Sequence, residues 1–167
     1  MATSATHSPT RATPAAPVPE FRTQRRTRIS DLDRFGSVHN LSLIRYIEDA
    51  QVELTAAGQP DERVLDVAWS VVHRDTTFLV PLPMLAEPVG IATTVARLGR
   101  SDMTLATRIE HRGVVHARSL DRFVACDHHG MRRRVDDGEL RWLRRWMVGT
   151  RDIAFGVGGP RREGRFV

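Results

Sequence analysis

The chain has 167 residues, 41% of them hydrophobic, enough for one domain with a real core and too few for two of ordinary size. No apolar run approaches the length of a membrane span, and the lone Cys126 excludes an internal disulfide framework or a multi-cysteine metal site, so a soluble protein of the reducing cytoplasm is expected. The net charge is +5 and all 25 basic residues are arginine. The guanidinium fork suits phosphate recognition, but a GC-rich coding bias accounts for the missing lysine without any ligand.

Residues 1–20 are mostly Ala, Thr, Ser and Pro; such a stretch cannot offset the entropy of ordering and is predicted to be a disordered tail, and it lacks the apolar segment of a signal peptide. Phe21–Ile29 is predicted as a first strand, and Asp31–Asn40 as a polar loop in which Gly36 is free to take a positive φ. The clearest helix runs over about Leu41–Ala57, with Leu43, Ile47, Ala50, Leu54 and Ala57 on one stripe, Asn40 as N-cap, Gly58 as stop and Pro60 just beyond. The period then switches to two, over Leu65–Val71, Val89–Val95, Met103–Ile109 and Val114–Cys126. Alternation breaks near Ser119–Asp121, where a bulge is predicted. Gly99–Asp102 and His111–Gly113 read as hairpin turns, and the proline-rich Phe78–Pro88 as a loop or bent edge. A second amphipathic helix is predicted at about Asp137–Met147, and a loose tail follows over Thr150–Val167. The expected organisation is thus one domain over residues 21–148 between tails 1–20 and 149–167. Its class is α+β: a curved antiparallel sheet around one long helix, with a C-terminal helix.

Asp31-Leu32-Asp33-Arg34-Phe35-Gly36 feeds the start of the first helix. The first amides of a helix lack internal partners and its dipole is positive there, so a carbonyl placed at that end would have its oxyanion stabilised. A carboxylate a few residues upstream can attack that carbonyl or activate a water. On pattern alone, Asp-x-Asp before a helix is as readily a capping device.

The stretch RISDLDRFGSVHNLSLIRYIEDA resembles the signature of the 4-hydroxybenzoyl-CoA thioesterase-like hotdog family, D-x-D-x-x-G-H-V-N-N followed by E-x-A-R. The resemblance continues through VAWSVVHRDTTFLVPL, VARLGRSDMTL and FVACDHHG, and covers about Arg22–Val135. It implies a hotdog fold and hydrolysis of an acyl-CoA or acyl-carrier-protein thioester by a homodimer or homotetramer. No metal is implied, and no cofactor beyond the coenzyme A or phosphopantetheine of the substrate. By position, Asp33 matches the family's catalytic carboxylate, Asp31 the residue that orients the loop, and the amides of His39 and Asn40 the groups that polarise the carbonyl. The acyl group is implied to lie along the helix at a dimer interface. Two positions depart from the pattern: the imidazole stands at His39, two places late, and the arginine after E-x-A is Gln51.

Arg97, Arg100 and Arg112, near strand ends, suit the phosphates of coenzyme A, although solvated arginine is the plainer reading. Ser101 matches a family turn beside the pantetheine channel, and Phe78 and Trp69 suit the acyl tunnel, with core packing the simpler role for Trp69. His128-His129 point apart on a strand exit, without further metal ligands at a useful spacing. Glu48 suits a second carboxylate or a pair with Arg45. The alternatives are a non-catalytic acyl-CoA-binding protein of the same fold, suggested by Ser37, His39 and Gln51, and a nucleic-acid-binding module. The second is opposed by arginines dispersed without interleaved aromatics.

Overall fold

Alternation of apolar side chains and the turn residues between them build five strands: β1 (Phe21–Arg25), β2 (Ala68–Phe78), β3 (Val89–Leu98), β4 (Asp102–His111) and β5 (Val114–Cys126). The computed structural model describes residues 18–58 and 68–148. The strands form one antiparallel sheet in the order β1-β3-β4-β5-β2, with helices α1 (Asn40–Ala56) and α2 (Asp137–Arg144), an arrangement consistent with the hotdog fold. The predicted positions in 1–17, 59–67 and 149–167, including Pro60, Leu65, Val67, the C-terminal tail and all but the last three residues of the N-terminal one, lie outside the described residues; of those three, Glu20 is held by Arg22 and Arg108 rather than loose. Among those described, no helix is long and apolar enough to cross a membrane.

The first strand is shorter than predicted. It stops at Arg25, and Ile29–Asp31 forms a 3₁₀ turn because the Asp31 carboxylate accepts the Arg28 amide at 2.9 Å. The hairpin turn predicted at His111–Gly113 is a two-residue connection, since His111 ends β4; Arg112 and Gly113 are both at positive φ (48° and 80°), the geometry that matches strand twist. The bulge predicted at Ser119–Asp121 is absent. Ser119 pairs in register with Thr107 and Thr76, and Asp121 with Leu105 and Arg74. Alternation fails there because these polar side chains face inward. The extra residues are instead Val72, Ala96 and His116, each of which restores the inward set further along its strand.

One face of the sheet packs against α1 through two apolar clusters. Val38, Leu43, Ile47, Ile91 and Ile109 surround the first half of the helix; Leu54, Val95, Leu105, Phe123 and Leu143 surround its far end. Between them runs a polar band, in which Thr93, Thr107, Ser119 and Thr76 line up across four strands and Gln51 descends from the helix. The second helix ends at Arg144, earlier than predicted, and is opened by a reciprocal cap between Asp136 and Glu139. Its Trp142 donates Nε1–H to the Leu54 carbonyl at 2.7 Å and lies so close to Gly58 that a Cβ there would stand 2.2 Å from the indole.

The two edges of the sheet differ. β1 offers five residues bearing Arg22 and Arg25, while β2 is an 11-residue edge on which Val71, Val72 and Phe78 stay exposed.

Candidate functional site

The loop before α1 is a small hairpin closed by an Asp33 turn. Asp33 accepts the amides of Phe35 (2.8 Å) and Ser37 (3.1 Å) on one oxygen, Oδ1. Its own N–H donates to the Ser37 carbonyl at 2.8 Å, and Gly36, at φ 80°, closes the turn. The second oxygen, Oδ2, has no partner among the described residues, and the carboxylate is half-buried. Bridges between Leu32 and Val38 and between Ser37 and Pro83, with the Val38 amide on the Leu82 carbonyl (2.7 Å), clamp the hairpin to the loop after β2.

Asp31 holds the other end. Its buried carboxylate accepts the Tyr46 hydroxyl at 2.5 Å, tying the loop to the helix one and a half turns in, and its carbonyl accepts the His39 amide at 2.8 Å. Burial and then the Asp31 carboxylate push the Tyr46 hydroxyl well above the ordinary phenol range.

The helix begins one residue earlier than predicted. His39, not Asn40, is the N-cap: its backbone is extended (φ −60°, ψ 141°) and its Nδ1 accepts the Leu41 amide at 3.1 Å, so the ring proton sits on Nε2. Asn40 is the first helical residue. Since the His39 amide is engaged by Asp31, the Asn40 amide is the first at this end with no acceptor among the described residues. Asp33 Oδ2 and the Asn40 N–H are therefore uncommitted groups of opposite polarity, one in the loop and one at the start of the helix. Exposed apolar side chains flank them: Phe35, under the Arg34 guanidinium, and Leu41.

Of the other predicted residues, Phe78, paired with Ala117 of the first cluster, and Arg112, in the β4–β5 turn, lie at this end of the sheet. Ser101, Arg100 and Arg97 lie at the opposite end, in and beside the β3–β4 turn. There the Ser101 carbonyl accepts the Ala125 amide, Ser101 Oγ takes Arg132 Nε at 2.7 Å, and Arg97 pairs with Asp102. Within one chain the two groups do not meet. Arg112 is paired with Glu87, and Arg22, Arg25, Arg108 and Arg133 are likewise ion-paired. Glu48 pairs with Arg74 rather than Arg45.

Sequence reading missed two members of the neighbourhood. Tyr46 passed as an ordinary residue of the helix, although it is the only tyrosine in the chain and stands fifteen positions from Asp31. Arg74 was read as part of a strand, yet it supplies a guanidinium beneath the helix where Gln51 replaces arginine in the motif; Arg74 Nη2 reaches Gln51 Oε1 at 3.3 Å.

The thioesterase-like superfamily model matches residues 27–143. No curated protein sequence matches the chain. Among solved structures, a hypothetical protein from Thermus thermophilus is 28% identical, with 76% of this chain and 99% of that one covered and a TM-score of 0.68. A thioesterase from the same species, complexed with coenzyme A and Zn, is 23% identical over 76% of this chain and 92% of that one (TM-score 0.66). A 1,4-dihydroxy-2-naphthoyl-CoA thioesterase from Synechocystis is 14% identical over 74% and 95% (TM-score 0.63). The last two are too distant in sequence to speak to more than the fold.

Proposed function

The chain belongs to the thioesterase-like superfamily, and from that premise we propose that it hydrolyses the thioester of an acyl-CoA or acyl-carrier-protein substrate. The observation that carries this reading is the division of labour within Asp33: Oδ1 is anchored by two amides while Oδ2 has no partner among the described residues, in the hairpin that leads into the start of α1. In this reading the thioester carbonyl oxygen is received by the Asn40 N–H at the positive end of α1. Asp33 Oδ2 then either takes the proton of an attacking water or attacks the carbonyl carbon itself; the thiolate of coenzyme A or pantetheine leaves, and in the second case water cleaves the acyl–Asp33 anhydride to release the acid and restore the carboxylate. His39 orients this end as the N-cap, and the acyl group runs along α1 past Ile44 and Phe78.

A second copy completes the site. Antiparallel pairing of the exposed edge β2 with its own copy would extend the sheet and remove an unprotected edge. It would also set the Ala68 end of one strand against the Phe78 end of the other. The partner subunit's Ser101, Arg100 and Arg97 would then approach the Asp33 end of this chain, where the arginines suit coenzyme A phosphates. A homodimer, or a tetramer built from it, is accordingly part of the proposal, as is a cytoplasmic location. No cofactor is required beyond the coenzyme A or pantetheine of the substrate.

One observation favours a second reading, a non-catalytic acyl-CoA-binding protein: the Asp33 carboxylate already has structural work in holding its turn. Steady-state hydrolysis of a panel of acyl-CoAs by the wild type and Asp33→Asn separates the two. Turnover that falls sharply in a folded variant supports the hydrolase, whereas binding without turnover in the wild type supports the binding protein.

A further inference from the structure

One side chain spans the distance from the edge strand β2 to α1. Arg74 leaves β2, donates Nε–H to Asp121 Oδ1 at 2.9 Å, and continues with Nη1 to Glu48 Oε1 on the helix at 2.6 Å and with Nη2 to Gln51 Oε1. Asp121 has no solvent exposure, and it also accepts Gln51 Nε2 at 2.6 Å and Ser119 Oγ at 2.9 Å. Toward the helix N-terminus, Ile44 stands one turn before Glu48 on the same helix face, and Phe78 is on the same strand face as Arg74. Beyond the crossing lie Thr55 and Trp69, which line one shallow depression with Trp142.

We propose that the Arg74–Glu48 pair is the end wall of the acyl chamber, and that the substrates carry a short or medium-length acyl group or an aryl group. This rests on the reading that the thioester carbonyl sits at the Asn40 amide and the acyl group follows α1. Eight residues of helix separate Asn40 from Glu48, about 12 Å at the ordinary helical rise, which accommodates an extended chain of roughly eight to ten carbons. Each nitrogen of the guanidinium already has a partner within the wall, which fixes it in place across the path of the chain; it selects by length. A longer chain would have to dislodge a guanidinium bonded to three side chains, one of them a buried carboxylate, and that loss exceeds what an added methylene returns.

The test is calorimetric binding of S-alkyl-CoA thioethers from two to sixteen carbons, with hydrolysis of the corresponding acyl-CoAs measured in parallel. Binding should tighten about fourfold per methylene up to roughly eight carbons and then level off or weaken. Glu48→Leu, which removes the exposed half of the wall and leaves the Arg74–Asp121 contact, should move that break outward by several carbons, and Glu48→Gln should leave it in place. Binding that tightens smoothly to sixteen carbons in the wild type overturns the wall, as does a folded Glu48→Leu protein with an unmoved break. Should Glu48→Leu fail to fold, the wild-type profile alone decides. A length break in binding with no hydrolysis at any length keeps the wall and overturns the hydrolase reading. No binding at any length overturns both.

Discussion

Asp33 and Asp127 hold the same turn at opposite ends of the sheet. In each, Oδ1 accepts the amides two and four residues on: Phe35 and Ser37 at 2.8 and 3.1 Å, His129 and Met131 at 2.9 and 2.9 Å. In each, a glycine three residues on lies at positive φ, 80° for Gly36 and 76° for Gly130. The Met131 and His129 amides hold the Asp127 carboxyl below its ordinary range. The second loop is thus a natural control for the first. Asparagine keeps an oxygen acceptor, so both Asp33→Asn and Asp127→Asn should retain their turns and near-wild-type thermal midpoints. Only Asp33→Asn should lose activity, by about 10²–10⁴-fold in kcat/KM. An equal loss in both variants would assign the effect to the turn rather than to the carboxylate.

Tyr46→Phe removes a hydrogen bond to a buried carboxylate and should cost about 1–3 kcal/mol in urea unfolding. The same contact predicts a pH effect at the alkaline end. The phenol titrates above its ordinary value of 10.0 in the folded chain, so the unfolded state releases this proton first as pH rises. Its contribution to stability is fully present below pH 10 and is lost as pH climbs toward the folded value. Because Tyr46 is the sole tyrosine, tyrosinate absorbance reports it directly. Ionisation should begin well above pH 10 in the native protein, and normal phenol titration before unfolding would refute the buried contact.

Arg74→Met should be among the most destabilising single changes in the sheet. It strips the main counter-charge from Asp121, which has no exposure, and breaking such a pair typically costs about 3–5 kcal/mol. Glu48→Gln, at a half-exposed position, should cost less than about 1 kcal/mol. Chemical denaturation of both distinguishes the buried arm of the network from its exposed one.

On the outer face, Glu20, Arg22, Arg108 and Glu110 form one ion-paired group beside β1. The hydrogen bond from Arg108 lowers the Glu20 carboxyl; burial pushes Glu110 up, but bonds from Arg108 and Arg22 outweigh it and lower it overall. Depressed carboxylates contribute stability above the unfolded value, here 4.5, and lose it as pH falls through the folded one. Unfolding free energy should therefore decline below about pH 4.5 in the wild type, and more shallowly in Arg108→Gln.

The parts of this molecule legible in sequence were those governed by local rules. The α1 stripe, the turn at Arg112-Gly113 and the positive φ of Gly36 follow from helical period and glycine chemistry, and appear within a residue or two of their predicted places. What local pattern could not disclose was long-range polar pairing. Ser119 and Asp121 look like an interruption of β5 until Gln51 and Arg74, 70 and 47 positions away, are brought beside them. The N-cap was misplaced by one residue for a related reason: asparagine is the commoner cap, but the His39 amide is drawn back by Asp31 and its ring turns to Leu41. Asp33, His39 and Asn40 share one junction because they are neighbours in sequence. Ser101, Arg100 and Arg97 are remote because a single antiparallel sheet has two ends.

The indole of Trp142 gives α1 an end stop. Its N–H takes up the Leu54 carbonyl, one of the helix's last, and its ring fills the space that Gly58 leaves open. A helix of 17 residues is a rod of about 25 Å, so its axial position is transmitted almost unchanged from one tip to the other. The C-terminal segment thereby helps to set the axial position of the Asn40 amide. Damage at residue 142 would be felt as a displaced Asn40 amide at the far tip, without any contact between the two.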